Sequence, residues 1–342
     1  MPPFPAFFVP ASDSRWIEMP AIHKPTDLSP YPIEIDPPDI TAYQAGNTGV
    51  EYFTFFDAAE PGPHVMITAL THGNELCGAV VLDELFKSGF RPLRGRLTLG
   101  FCNVEAYHNF DHDRPMLSRF VDEDMNRLWE IATLETPRAT AEARRTREIR
   151  PLLDSVDFLL DIHSMQHPTQ PLMLAGPLDK GRALAERVGV PAAIVMDPGH
   201  AAGRRMRDYG PFGDSAVGPA ALLVECGQHW AGTSVDVARQ TMVRFLVAAG
   251  MAPPSMIPEW LGDEPAPPQR VIEVTDAITV ENPSFAFVAP YIGMEVIPKA
   301  GTLLAMDGDT AIHTPHDNCV LIMPSRRLSR GQTAVRLGRF ID

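Results

Sequence analysis

Val65-Met66-Ile67-Thr68-Ala69-Leu70, followed at once by Thr71-His72-Gly73-Asn74-Glu75, is the stretch on which the reading of this chain turns. A short run, apolar but for one threonine and closed by a polar turn, is the pattern of a strand buried on both faces. From Glu75 to Lys87 the period changes, and Leu76, Val80, Leu82, Leu85 and Phe86 recur at helical spacing. A second run, Phe158-Leu159-Leu160-Asp161-Ile162-His163, again ends on a histidine. Together His72, Glu75 and His163 offer two imidazoles and one carboxylate. That set suits a zinc ion with its fourth position open, the arrangement of a hydrolase. The His-x-x-Glu spacing lets the first two side chains reach one ion from a single turn, whereas His163 has to be delivered by the fold.

Outward from these runs, strands are expected at about 40–46, 51–57, 65–70, 95–103, 156–162, 171–175, 192–196 and 220–226. Helices are expected at 75–87, 138–153, 179–188 and 234–249. Alternating strands and helices, with continuous apolar strand runs, imply an α/β fold: a mixed, partly parallel sheet flanked by helices. Its site belongs at the carboxyl ends of the strands. Residues 1–38 read as a proline-rich N-terminal arm over the surface or a neighbouring subunit, and 39–250 as the catalytic domain. Residues 251–268 read as a proline-rich linker, and 269–342, with short strands between Gly, Pro and Asp-Gly turns, as a small all-β domain.

A chain of 342 residues has room for one large core and a smaller second domain. Its 45% apolar and 21% charged content is that of an ordinary globular protein. The net charge of −14 argues against nucleic acid or an anionic membrane surface as a partner. Cys77, Cys102, Cys226 and Cys319 form no C-x-x-C pair and read as reduced core thiols. The apolar start lacks a basic segment and is cut by prolines, and no run is long enough to span a bilayer. The expected location is the cytoplasm.

Four motifs stand in order: His72-Gly73-Asn74-Glu75, Asp124-Met125-Asn126-Arg127, Asp161-Ile162-His163 and Glu225-Cys226-Gly227-Gln228. In these the sequence resembles the succinylglutamate desuccinylase/aspartoacylase family, relatives of the zinc carboxypeptidases, firmly over about 60–235 and weakly over 270–325. The resemblance implies a carboxypeptidase-like sheet and one Zn2+ per chain on His72, Glu75 and His163. It implies Glu225 as the general base and then acid, and Arg119 as the oxyanion's partner. Asn126 and Arg127 would hold a substrate carboxylate, and the C-terminal β domain would cap the site. Residue chemistry agrees in part. Glu225 closes an apolar run, where a carboxylate is costly unless solvated, paired or functional. A planar guanidinium grips both oxygens of a carboxylate. Asp161, two residues before His163 on the same strand face, is placed to orient an imidazole, with an ordinary strand-end carboxylate as the alternative. Asp124 is expected to steady the loop or one arginine.

The chain also departs from the pattern. Aspartoacylase-like members carry an arginine about ten residues before the catalytic glutamate, yet no basic residue lies between 208 and 224 here. An N-acyl aspartate is therefore disfavoured, and a neutral, aromatic or basic amine portion fits better. The family's C-terminal tyrosine has no clear counterpart, with Tyr291 the nearest candidate. His167, His200 and His229 are pocket-lining candidates beside the plainer reading of satisfied histidines. Arg204, Arg205 and Arg207 read either as a solvated loop or as a second anion contact. The expected function is a zinc-dependent amidohydrolase cleaving an N-acyl amino acid or similar small carboxylate-bearing amide. A small molecule is the expected partner and a homo-oligomer, a dimer first, the expected assembly. The competing readings are a zinc carboxypeptidase acting on peptides, an ester-cleaving variant, and a relative that binds small molecules without catalysis. The complete set His72, Glu75, His163, Glu225, Arg119 and Arg127 argues against the last.

Overall fold

The computed structural model describes residues 31–199, 202–263 and 265–341, together with two short strands, β1 (Phe8–Pro10) and β2 (Trp16–Glu18), paired antiparallel. The rest of the arm expected over 1–38, up to residue 30, lies outside the described residues. Residues 31–38 lie along the larger of two units: Glu34 donates its backbone N–H to Trp230 O and accepts from Gly232 N, and Ile35 is buried.

That unit, residues 27–274 with 340–342, holds β3 (Phe53–Asp57), β4 (Glu60–Ala69), α1 (Leu76–Lys87), β5 (Arg94–Phe101), α2 (Val104–His108) and α3 (Ile131–Glu135). It continues through α4 (Ala141–Leu153), β6 (Phe158–Met165), β7 (Leu172–Leu174), α5 (Asp179–Val188), β8 (Ala193–Met196), β9 (Ala220–Gln228), α6 (Gly232–Ala248), α7 (Met256–Leu261) and the start of β10 (Arg270–Thr279). The strands follow the order β10-β8-β7-β9-β6-β4-β5-β3. The central strands β9, β6, β4 and β5 run parallel, whereas β3 pairs antiparallel with β5 and β7 antiparallel with β9. The sheet is thus mixed and flanked by helices, as the alternating pattern implies.

Strand alternation assigns the two faces. Val65, Ile67 and Ala69 of β4, Leu160 and Ile162 of β6, and Leu222 and Val224 of β9 join the core beneath α1, α5 and α6. Met66, Leu159 and Ala221 join the opposite core with Trp129, Ile149 and Leu153. By the same alternation Asp161, His163 and Glu225 lie on that second face. The register sets Thr68 beside Asp161, and His163 beside Glu225.

Two expectations are corrected. The segment 40–46 is no strand but a 3-10 turn at Thr41–Tyr43, because Asp39 Oδ1 takes both the backbone N–H and the hydroxyl of Thr41. The stretch 251–268 is not purely irregular: α7 begins just after Pro253 and Pro254, where the missing prolyl N–H groups cost nothing, and ends at Gly262 (φ +72°).

The smaller unit comprises residues 275–339 and the β1–β2 pair. It contains β11 (Ala286–Phe287), β12 (Val296–Ile297), β13 (Leu303–Asp307), β14 (Thr310–His313), β15 (Cys319–Ile322) and most of β16 (Thr333–Phe340). All its pairings are antiparallel, β11-β13-β14 and β12-β15-β16, around Phe285, Phe287, Leu304, Leu321 and Val335. All four cysteines are buried and unpaired. Among the described residues no helix is long and apolar enough to cross a membrane.

Candidate active site

The parallel strands β4 and β6 end side by side and release their polar residues at one point. After β4 the backbone turns at Leu70 (φ +58°), a left-handed conformation in a fully buried residue that only a demanding local geometry sustains. The chain then passes His72 and reaches Glu75, the residue that precedes α1. Gly73 permits this path, since a Cβ there would lie 2.4 Å from Ala106 C and 2.6 Å from Ser118 O, both main chain.

His72, Glu75 and His163 converge, all buried, with one ligand atom from each within 4.8 Å of the others. His72 Nδ1 lies 2.7 Å from Glu75 Oε1, and His163 Nδ1 lies 2.9 Å from Glu75 Oε2. The far nitrogens face other carboxylates: His163 Nε2 is 2.6 Å from Asp161 Oδ2 and His72 Nε2 is 3.0 Å from Asp124 Oδ1. A proton held on each Nε2 by its carboxylate leaves both Nδ1 lone pairs turned to one spot, which is how histidines are prepared for a metal. The donor set therefore fits a divalent cation. Asp161 is no idle strand-end carboxylate, because its other oxygen accepts from the hydroxyls of Thr68 and Thr71.

The electrostatics follow from burial against partners. Burial alone would raise the Glu75 carboxyl, but His72 and His163 outweigh it and hold it well below the ordinary range. Burial would lower His163, yet Asp161 and Glu75 carry it well above. Glu225 has no such rescue. It is only 5% exposed, Oε2 has no partner among the described residues, and burial pushes its carboxyl up although His163 and Arg119 pull the other way. A carboxyl raised in this way beside a metal-binding set is equipped to hold a proton.

Asp124 proves to be a hub. Beyond His72 it takes Arg119 Nη2 at 3.0 Å and the backbone N–H of Asn126 at 2.9 Å, with Arg127 Nη2 3.9 Å away. Burial would raise its carboxyl, but Arg119, His72 and Arg127 keep it well below. Arg119 also donates to Glu75 Oε1 at 3.2 Å, and its carbonyl receives Gly73 N. Its Nη2 further lies 2.7 Å from His72 Nε2, a contact that requires a bare Nε2. Once Nδ1 binds a cation the proton belongs on Nε2, and Asp124 is then the partner. The guanidinium keeps its two carboxylates. Thus Arg119 and Arg127 are tied through Asp124 to the same cluster as the three donors.

Asn126 is more committed than its sequence position suggests. Its side-chain oxygen accepts from Met206 N at 2.8 Å, which leaves the amide NH2 as the end able to meet a ligand. The same contact explains the arginine-rich loop. Arg205 is clamped between Asp197 and Asp208, and Arg207 donates to Asp208 and to the carbonyls of Ala175 and Ala221. Arg204 pairs with Glu130 at the surface. Neither a solvated loop nor an anion contact describes Arg205 and Arg207: they form a buried ionic brace beneath Asn126. Across 208–224, which holds no basic residue, Lys180 donates to the carbonyls of Pro211, Asp214 and Val217.

His229 Nδ1 lies 2.9 Å from Ser164 Oγ, and Ser164 N donates to Glu75 Oε2. His167 meets Tyr31 Oη at 3.3 Å. Tyr291 belongs to the smaller unit, packed edge-on against Phe287. His200 lies outside the described residues. Sequence reasoning missed Gln228 Nε2 and the Asn74 side chain, buried polar groups without hydrogen-bond partners among the described residues. Their places inside the first and fourth motifs were the available signal.

Comparison with known proteins gives the family. The model of the succinylglutamate desuccinylase/aspartoacylase catalytic domain matches residues 61–247, more than half the chain. A succinylglutamate desuccinylase of Burkholderia cenocepacia is 27% identical over 296 residues, 79% of each protein. The solved structure of a Vibrio parahaemolyticus succinylglutamate desuccinylase superposes with a TM-score of 0.64 at 17% identity, covering 85% of this chain and 87% of that one. A product-bound ectoine utilization protein from Ruegeria pomeroyi gives 0.56 at 17% identity, over 92% and 99%. The family model spans more than half of the chain, and the solved structures share its fold: this chain belongs to the succinylglutamate desuccinylase/aspartoacylase family, a family named for deacylases of small acyl amino acids.

Proposed function

We propose that the protein is a zinc-dependent amidohydrolase that removes the acyl group from an N-acyl amino acid or a similar small carboxylate-bearing amide. The observation that carries this reading is the convergence of the His72, Glu75 and His163 donor atoms at the end of β6, with Glu225, a buried carboxylate with an unpartnered oxygen, on the neighbouring strand. When bound, zinc supplies positive charge that acidifies a water and polarises a carbonyl. Glu225 then accepts the water's proton and returns it to the leaving amine, a task suited to a carboxyl that burial has raised. Arg119, held by Asp124 and Glu75, donates to the oxygen on which negative charge develops. Arg127 and the Asn126 NH2 take the substrate carboxylate and set its register. With Lys180 spent on backbone carbonyls and no cation in 208–224, a second acidic group on the amine portion finds no partner there. Neutral or basic amine portions are preferred over aspartate.

Glu225→Gln tests the assignment. Zinc content should stay at one per chain while turnover of the responsive member of a panel of N-acetyl, N-formyl and N-succinyl amino acids falls by at least roughly 10²-fold. Near-normal turnover would remove Glu225 from its role. A wild type, zinc-loaded, that hydrolyses none of the panel would remove the amide reading itself.

A further inference from the structure

Glu142 is the second residue of α4, a helix whose other charged residues are exposed or half-buried, yet it is fully buried. Its carboxylate is saturated by donors from two other segments. Oε1 accepts from Asn103 Nδ2 at 3.0 Å and from Val121 N at 2.7 Å. Oε2 accepts from Asp122 N at 3.1 Å and from Glu123 N at 3.2 Å. Three successive backbone N–H groups aimed at one carboxylate form a nest, a concavity suited to an anion. The grip is reciprocal. Asp122 accepts from Ala141 N at 2.7 Å, at the positive end of the helix, and Glu123 accepts from the Thr140 hydroxyl.

The residues so held stand between Arg119 and Asp124. Arg119 stands two residues before the anchored stretch 121–123, Asp124 follows it directly, and Asn126 and Arg127 come within the next four residues. The direction of both guanidiniums is therefore set where the loop is nailed to α4 and Asn103, not by contacts of the arginines alone.

We propose that Glu142 is a positioning residue for substrate recognition: its buried carboxylate fixes the 121–123 turn and thereby sets Arg119 at the oxyanion position and Asn126–Arg127 at the substrate carboxylate. This rests on the function proposed above for those residues, but the anchoring itself can be read without turnover.

The experiment uses the full-length, zinc-loaded protein and Glu142→Gln, which keeps the shape and replaces one acceptor oxygen by an N–H facing other N–H groups. In the first arm, amide hydrogen exchange at Val121, Asp122 and Glu123 accelerates at least about tenfold, with the amides of β4 and β6 unchanged. In the second, kcat/KM on the responsive N-acyl amino acid falls about 10- to 10²-fold, the cost of misplaced groups, with KM raised and zinc at one per chain. A merely structural part would reduce the active fraction and leave KM alone. Glu142→Asp, which retains the charge on a shorter arm, should recover part of the loss in both arms, and serves alone should the glutamine variant not fold. Unchanged exchange at 121–123 overturns the proposal, and so does faster exchange with an unaltered KM. Should the wild type hydrolyse none of the panel, the deacylase reading fails while exchange still decides the anchoring: acceleration confined to 119–127 supports it, and uniform or absent acceleration overturns it.

Discussion

Replacing Asp161 with asparagine alters one atom in the interior and should weaken the proposed zinc site from outside its ligand set. Asp161 is fully buried, with Oδ2 2.6 Å from His163 Nε2 and Oδ1 shared by the hydroxyls of Thr68 and Thr71. Asparagine fits the same space but offers one oxygen and one NH2. With the NH2 towards His163, imidazole Nε2 must accept, the ring proton moves to Nδ1, and the lone pair facing Glu75 is lost. With the oxygen towards His163, the threonine hydroxyls rotate to accept and the tautomer survives, but the ring loses its anionic partner and some basicity. Either way the ligand is poorer. Loss of such a supporting carboxylate costs about 10- to 100-fold in metal affinity, or about 1.4–2.7 kcal/mol. Competition for zinc against a chromophoric chelator at fixed pH measures this directly. Thermal melting at a fixed, saturating free zinc concentration should show a similar loss of zinc-linked stabilisation. A zinc affinity within twofold of wild type would refute the reasoning, since it would mean that the short contact does no work on the ligand.

Two further substitutions probe the frame around the site. Gly73→Ala places a methyl 2.4–2.6 Å from main-chain atoms of Ala106, Tyr107 and Ser118, none of which can swing aside; urea unfolding should show a loss of about 1–3 kcal/mol, and a stability equal to wild type would contradict the tight crossing. Arg205→Leu takes the shared guanidinium from Asp197 and Asp208, and breaking a buried pair on one side costs about 3–5 kcal/mol. Burial would raise the Asp208 carboxyl, but Arg205 and Arg207 keep it below the ordinary carboxylate range. Its contribution is therefore present above the unfolded value and lost as pH falls through the folded one. The gap between wild type and Arg205→Leu should accordingly narrow between pH 7 and about 3, because protonation removes the charge that Arg205 would have offset; a gap that widened on acidification would remove Arg205 from that role.

The legible parts of this protein are those written in local pattern. The run 65–70, the Leu76–Phe86 spacing and the run 158–163 name their elements because burial on a sheet or helix face imposes a period on the chain. His72 and Glu75 share a turn, so their partnership is readable from spacing alone. Local pattern misleads at 40–46, where an aspartate side chain competes for the backbone, and at 251–268, where two prolines resemble a linker and yet can start a helix.

What the sequence determined by itself is the chemistry available: a borderline donor set, a carboxylate ending an apolar run, two arginines flanking an aspartate, and strands that must lie inside. What only the tertiary structure decided is which groups are spent on one another. Asp161 faces His163, Asp124 joins His72 to both arginines, Asn126 gives its oxygen to Met206, and Glu142 holds a loop that precedes it by some twenty residues. No local period encodes these choices. Each arises because a buried polar group must find its partner among whatever groups the fold brings near, however distant along the chain.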